Sequence, residues 1–167
     1  REPRLAWRWA PSGRISPELK KAVLVAEDID FFSHRGFATE EMRKAFEEAL
    51  EGRRLRGAST ITQQVAKNLW LAPSRSPLRK LEEALLTVQL ERALGKHRIL
   101  EIYVNIVELG PGIYGAEAAS RAYFGHPASQ LTAREAAMLA ASLSRPSSWH
   151  PGVTSKGYRK RVELILG

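Results

Sequence analysis

The sequence predicts an all-α domain, on three observations. Helix starts recur in cap-plus-proline form, at Ser16-Pro17-Glu18 and Ser76-Pro77. Apolar residues repeat at helical spacing through almost every segment, and no run alternates with the period of two that marks a strand. The 167 residues suit a single domain, taken as 1–167, and a hydrophobic content of 44% supplies a core.

The elements follow in order. After the Ser16 start, Leu19, Ala22, Val23 and Ala26 carry a helix to about Ile29. FFSHRGF is then a tight, aromatic turn. Thr39 caps a second helix, Glu40 to Leu50, ended by Gly52, and Arg53-Arg54-Leu55-Arg56 is a basic loop. Ser59 caps a third helix that stops before Pro73. Ser76-Pro77 opens a long helix to about Leu94, with an apolar stripe of Leu78, Leu81, Leu85 and Val88. Another helix runs from about His97 to Glu108, followed by the glycine-rich loop GPGIYG. AEAASRAYFG is a short helix stopped by Gly125, Thr132 to Glu135 is a capping box, and a last helix covers Tyr158 to Leu166.

The composition narrows the chemistry. There is no cysteine, so disulfides and thiolate metal sites are excluded. The net charge of +8 suits a polyanionic partner: nucleic acid, an anionic membrane surface or a phosphorylated substrate. No stretch approaches the roughly 18 apolar residues of a membrane span, and no signal-peptide pattern is present.

Chemistry concentrates in two blocks. Glu27-Asp28 closes a helix of mostly Ala, Val and Leu, where poor solvation raises a carboxyl pKa toward that of a general base. The alternative is an exposed Glu27 in the last turn, an unfavourable place for an acid beside the helix dipole. In RGASTITQQVAKNLW, small residues precede Ser59 and Thr60, whose hydroxyls lie beside unpaired N–H groups, the general design of an anion site. Thr60, Gln64 and Lys67 share one face, while Ile61, Val65 and Leu69 line another; a well-capped helix with an ordinary wet face reads equally well.

In RSPLRKLEE, Arg79 and Lys80 fall in a first turn, where the dipole disfavours each cation by about 0.3 kcal/mol or more. A bound diphosphate would reverse that sign, and Glu83 offers a second carboxylate beside the same cations. A surface pair of Glu83 with Arg79 or Lys80, worth about 0.2–0.5 kcal/mol, is the plainer account. Arg75 and Lys67 nearby weigh against it. His34 reads as a structural tie for its turn, Asn105 as a hydrogen-bonder of buried backbone, and Phe31, Phe32 and Phe37 as packing residues.

At these residues the chain resembles the family 51 peptidoglycan glycosyltransferases, found as monofunctional transglycosylases and as the transglycosylase domain of class A penicillin-binding proteins. The matching blocks are EDIDFFSHRG, GASTITQQVAKN, RKLEE, RILEIYVN and GIYGAEAASRAYFG, in the family's order across nearly the whole chain. The ending LSRPSSWHP looks like the monofunctional type.

The resemblance implies a lysozyme-like fold, with a large helical lobe and a small membrane-associating jaw at about residues 37–56. It implies polymerisation of lipid II into glycan strands, with release of undecaprenyl diphosphate and inversion at the donor anomeric carbon. Glu27 matches the general base and Asp28 the acid beside it. Glu83 matches the glutamate that assists the leaving diphosphate. Lys67, Arg75 and Lys80 match cations near the diphosphate, with Arg79 in the same block, and Ser59, Thr60, Gln63 and Gln64 fall in the motif lining the cleft. No cofactor is required and no protein metal site is expected, with a divalent cation, Mg or Mn, allowed at the diphosphate.

The implied partners are lipid II, the growing strand, an anionic membrane surface and other cell-wall synthesis proteins, but not nucleic acid. The implied location is the outer side of the bacterial cytoplasmic membrane, with an N-terminal anchor ahead of this chain. Two departures stand out: Ala58 replaces a glycine before the Ser-Thr, and Ala38 to Arg56 is highly charged. In that segment Met42, Phe46 and Leu50 form an apolar edge among arginines and Lys44, suited to interfacial contact. Two other functions compete. A basic helical nucleic-acid-binding module would account for the charge but not for cations set beside carboxylates. A lysozyme-like hydrolase would use two carboxylates but has no need of Lys67, Arg75 and Lys80.

Overall fold

Seven α-helices account for most of the described residues, which are 5–37, 59–71 and 77–167 of a computed structural model. They divide into two compact units, Glu27–Leu100 and the combination of residues 1–26 with 101–167. The second helix expected from sequence, Glu40 to Leu50, and all of the expected jaw after Phe37 lie outside the described residues.

In the unit of 1–26 and 101–167, local chemistry sets the boundaries. Helix α1, Pro17–Glu27, starts where the Ser16 hydroxyl accepts the Glu18 N–H at 3.2 Å and donates to the Leu131 carbonyl at 2.9 Å. It ends at Glu27, two residues before the expected Ile29. Helix α5, Ala116–Phe124, stops at Gly125 in the left-handed conformation. Helix α6, Ala133–Ser142, begins with the expected Thr132–Glu135 capping box. Helix α7, Lys156–Leu166, begins two residues before the expected Tyr158, because the Ser155 side chain caps it. Ala137 and Ala141 present only methyl groups, so Tyr158 and Val162 of α7 pack directly on α6.

The all-α expectation needs one correction. Three short strands, β1 (Ala6–Trp7), β2 (Glu108–Gly110) and β3 (Ile113–Tyr114), form a sheet in the order β1-β3-β2, with β1 parallel and β2 antiparallel to β3. Helix α4, Lys96–Ile106, therefore ends short of the expected Glu108. Two- and three-residue strands are too short to show period-two alternation.

Buried Asn105 ties this region together. Its side chain accepts the Ala10 N–H at 2.8 Å and donates to the Ala10 carbonyl at 2.9 Å, while the Trp7 indole donates to its backbone carbonyl at 2.8 Å. Asn105 thus bonds buried backbone as expected, but that of an extended segment. The next turn requires glycine: at Gly115, φ is 85° and a Cβ would lie 2.5 Å from the Asn105 oxygen.

In the unit Glu27–Leu100, helix α2 (Ile61–Trp70) packs on helix α3 (Pro77–Ala93). Ile61, Val65 and Ala66 are fully buried, but Leu69 is exposed and does not extend the buried face. Phe31 is fully buried, whereas Phe32 is half exposed and packs less than its sequence setting implied.

Candidate active site around Glu27

The site residues that are described all belong to Glu27–Leu100, and the turn after α1 organises them. Asp28 is buried, and its carboxylate accepts from His34 Nε2 at 2.7 and 2.9 Å and from the Ile61 N–H at 3.0 Å. His34 Nδ1 accepts the Gly36 N–H at 2.9 Å, which fixes the neutral tautomer with its proton on Nε2. The expectation of a structural tie therefore holds. Gly36 lies against α3: a Cβ there would come within 2.8 Å of the Thr87 methyl.

The helix start differs from the sequence expectation by one residue. Thr60, not Ser59, is the N-cap of α2. Its hydroxyl accepts the Gln63 N–H at 3.2 Å and donates to the Gly36 carbonyl at 2.6 Å, while Gln63 Oε1 accepts the Thr60 N–H at 2.8 Å. The reciprocal box decides the register, because Gln63 stands three residues after Thr60 and only Thr62 stands three after Ser59. Thr62 instead donates to Glu91 at 2.6 Å. Thr60 is buried and Ser59 is exposed. The anion at the N-terminus of α2 is thus the chain's own Asp28.

Glu27, the last residue of α1, is half buried, and Gln64 Nε2 donates to its carboxylate at 3.4 Å. Asp28 anchors the start of α2 and Gln64 extends from its first turn, so the Asp28–Ile61 bond sets the reach of Gln64 to Glu27. Lys67, one turn further along, is exposed.

On α3, Glu83 is buried between two cations: Arg79 Nη1 at 3.0 Å, itself buried, and Lys80 Nζ at 3.5 Å, largely exposed. The i,i+4 pair exists but is enclosed rather than on the surface. The structure therefore brings Glu27 to Gln64, Asp28 to the capping box, and Glu83 to Arg79 and Lys80. Arg75 lies outside the described residues. Among the described residues, no three acidic or histidine side chains gather into a metal-binding group.

Sequence reasoning missed Lys96 and Glu91. Lys96 Nζ lies 2.7 Å from Glu91 Oε1 and 3.4 Å from His34 Nδ1, over the Phe31 ring. The chain Thr62–Glu91–Lys96–His34–Asp28 connects α3 and α4 to the residue beside Glu27. Only the charge of Lys96 and Glu91 signalled it: five residues apart, they miss the i,i+3 and i,i+4 spacings, and His34 lies 62 residues from Lys96.

A family model described as Transglycosylase matches residues 4–167. Among curated proteins, the chain is 50% identical to the biosynthetic peptidoglycan transglycosylase of Laribacter hongkongensis, over 96% of this chain and 71% of that protein. It is 52% identical to the one of Aromatoleum aromaticum, over 96% and 72%. With the one of Nitrosospira multiformis, identity is 44% over 98% and 71%.

Proposed function

Because this chain belongs to the transglycosylase family, and is thereby a glycosyltransferase enzyme of peptidoglycan synthesis, we propose that it polymerises lipid II with Glu27 as the general base. The observation that supports this is the half-buried Glu27 carboxylate held by Gln64, on an anchor made by Asp28. Glu27 takes the proton of the acceptor sugar's 4-hydroxyl as that oxygen attacks the donor anomeric carbon. The bond from that carbon to the diphosphate oxygen breaks, undecaprenyl diphosphate leaves from the opposite face, and the configuration inverts. The proton passes from Glu27 to solvent.

The departing negative charge needs preorganised cations. Lys67, Lys80 and Arg75 supply them, with Glu83, itself paired to Arg79, holding Lys80 and Ser59, Thr60, Gln63 and Gln64 belonging to the cleft wall. The reading requires no cofactor and leaves Mg or Mn to travel with the diphosphate as part of the substrate. It also includes a lysozyme-like arrangement with a jaw at 37–56, action at the cell envelope on the outer face of the cytoplasmic membrane, and contact with other cell-wall synthesis proteins.

Labelled lipid II in detergent tests the assignment. Glu27→Gln keeps the shape and loses the base, and a loss on the order of 10²–10⁴-fold in polymerisation is expected, with substrate binding retained. Equal rates for parent and variant would remove Glu27 from the mechanism.

A further inference from the structure

We propose that the N-terminal edge of the unit formed by 1–26 and 101–167 docks on an anionic lipid bilayer, with an arginine-lined cleft that takes a headgroup phosphate. The inference is separate from the chemistry assigned to Glu27.

The segment from Leu5 to Trp9 carries three exposed apolar side chains at alternate positions: Leu5 at 72%, Trp7 at 58% and Trp9 at 37% exposure. Strand β1 within it is an edge of the small sheet. The Trp7 N–H is already satisfied by the Asn105 carbonyl, so its ring stays in water with its polar atom occupied. An indole with a satisfied N–H and an open apolar face suits the membrane–water interface.

Beside it lies a cleft of about 270 Å³, lined by Arg8, Trp9, Arg14, Glu117, Arg121 and Ser129 among others. Glu117 is buried, and its carboxylate is fully engaged: it accepts the Ala128 N–H at 3.0 Å and Arg121 Nε at 2.7 Å. Among the described residues, Arg8 and Arg14 form no ion pair. The cleft lining thus carries three arginines against one glutamate, which pairs with Arg121, and the surplus positive charge complements phosphodiester oxygens, which guanidinium binds in fork geometry. The walls are preformed. Asn105 brackets Ala10 from both sides, and Glu101 accepts the Ser12 N–H at 2.6 Å. Arginines lining the cleft and exposed apolar side chains alongside are what a charged interface selects, whereas a soluble anion would make no use of Leu5 and Trp7.

The test is co-sedimentation of the full chain with phosphatidylcholine vesicles, with and without phosphatidylglycerol, in the absence of any glycan substrate. The parent should bind the phosphatidylglycerol vesicles selectively. Arg8→Gln with Arg14→Gln should weaken that binding on the order of tenfold or more, about fivefold per arginine. Removing the same charge from exposed α7 by Arg159→Gln with Lys160→Gln should change it less than about twofold, since neither residue lines the cleft.

Leu5→Ser, which alters no charge at a highly exposed position, should weaken vesicle binding, and Glu27→Gln should leave it unchanged. Equal losses for the two Gln pairs would reduce the effect to overall charge and overturn the proposal. So would inorganic phosphate binding in the cleft while vesicle binding ignores Arg8 and Arg14, or a DNA duplex binding there more tightly than the vesicles. Thermal melts of each variant confirm that the fold is retained.

Discussion

Asp28 illustrates how one side chain sets several distances. Its carboxylate holds His34 and the first N–H of α2, and hydrogen bonds to a charged group are worth about 1.5–3 kcal/mol each. Asp28→Ala leaves His34 Nε2 and the Ile61 N–H unsatisfied in a buried site, so destabilisation on the order of 3 kcal/mol is expected. That corresponds to a fall in Tm of roughly 6–12 °C for a chain of this size; a shift under about 2 °C would show the network to be dispensable. His126 responds to pH. The hydrogen bond with the Pro127 carbonyl, then that with Glu135, raises the His126 pKa. Burial pushes Glu135 upward, but hydrogen bonds from Thr132 and His126 outweigh it and leave the pKa lowered. The His126 contribution is therefore complete below the usual histidine value of about 6.5 and fades as pH rises through its raised pKa. The Glu135 contribution is complete above the usual carboxylate range and fades as pH falls through its lowered pKa. An NMR titration should place the His126 midpoint above about 6.5, and Glu135→Gln should move it down. A parent midpoint at or below that value would dismiss the pairing.

Helix α3 is built with its polar face inward. Arg79, Glu83, Thr87 and Leu90 are buried, while Leu78, Leu81 and Leu85 are 66, 58 and 58% exposed. Leu81→Ser or Leu85→Ser should therefore change unfolding free energy by no more than about 0.5 kcal/mol. Glu83→Leu removes the carboxylate that lies 3.0 Å from a buried guanidinium and should cost on the order of 3 kcal/mol. Urea denaturation ranks them, and a larger loss at the leucines would mean that the stripe is covered. The same helix shows what a sequence can disclose. Periodicity identified the stripe of Leu78, Leu81 and Leu85 but not the side it faces, because direction depends on what the rest of the chain offers. Local devices were legible: the Thr132–Glu135 box, the Gly125 stop and the Ser16 start each depend on neighbours within four residues. At α2, two hydroxyls compete for one cap, and only the partner three residues on distinguishes Thr60 from Ser59. The acidic pair, the capping block and the RKLEE turn of the site were legible as residue types. The burial of Glu83 and the Lys96–His34 link were not, since both depend on contacts distant in sequence.

Across the whole molecule the charge balance favours repulsion. The net charge is +8, and the exposed ion pairs Lys21–Glu18 and Arg134–Glu163 offset little of it, since such pairs contribute about 0–1 kcal/mol each. The Arg79–Glu83 ion pair is buried and only weakly screened by salt, and the Asp28–His34 hydrogen bond is buried as well. Added salt thus acts mainly on the unbalanced surface cations, whose mutual repulsion destabilises the compact state. The Tm should rise as sodium chloride is raised from low millimolar toward physiological strength, where the Debye length shortens to about 8 Å. At equal ionic strength, sulfate should raise it further, because an oxyanion can also be held by the guanidiniums of Arg8, Arg14 and Arg121. Arg8→Gln with Arg14→Gln should reduce the repulsion and the sulfate increment together, whereas Arg159→Gln with Lys160→Gln should reduce the repulsion alone. A Tm that falls with salt in the parent would mean that exposed attractive pairs outweigh the net charge.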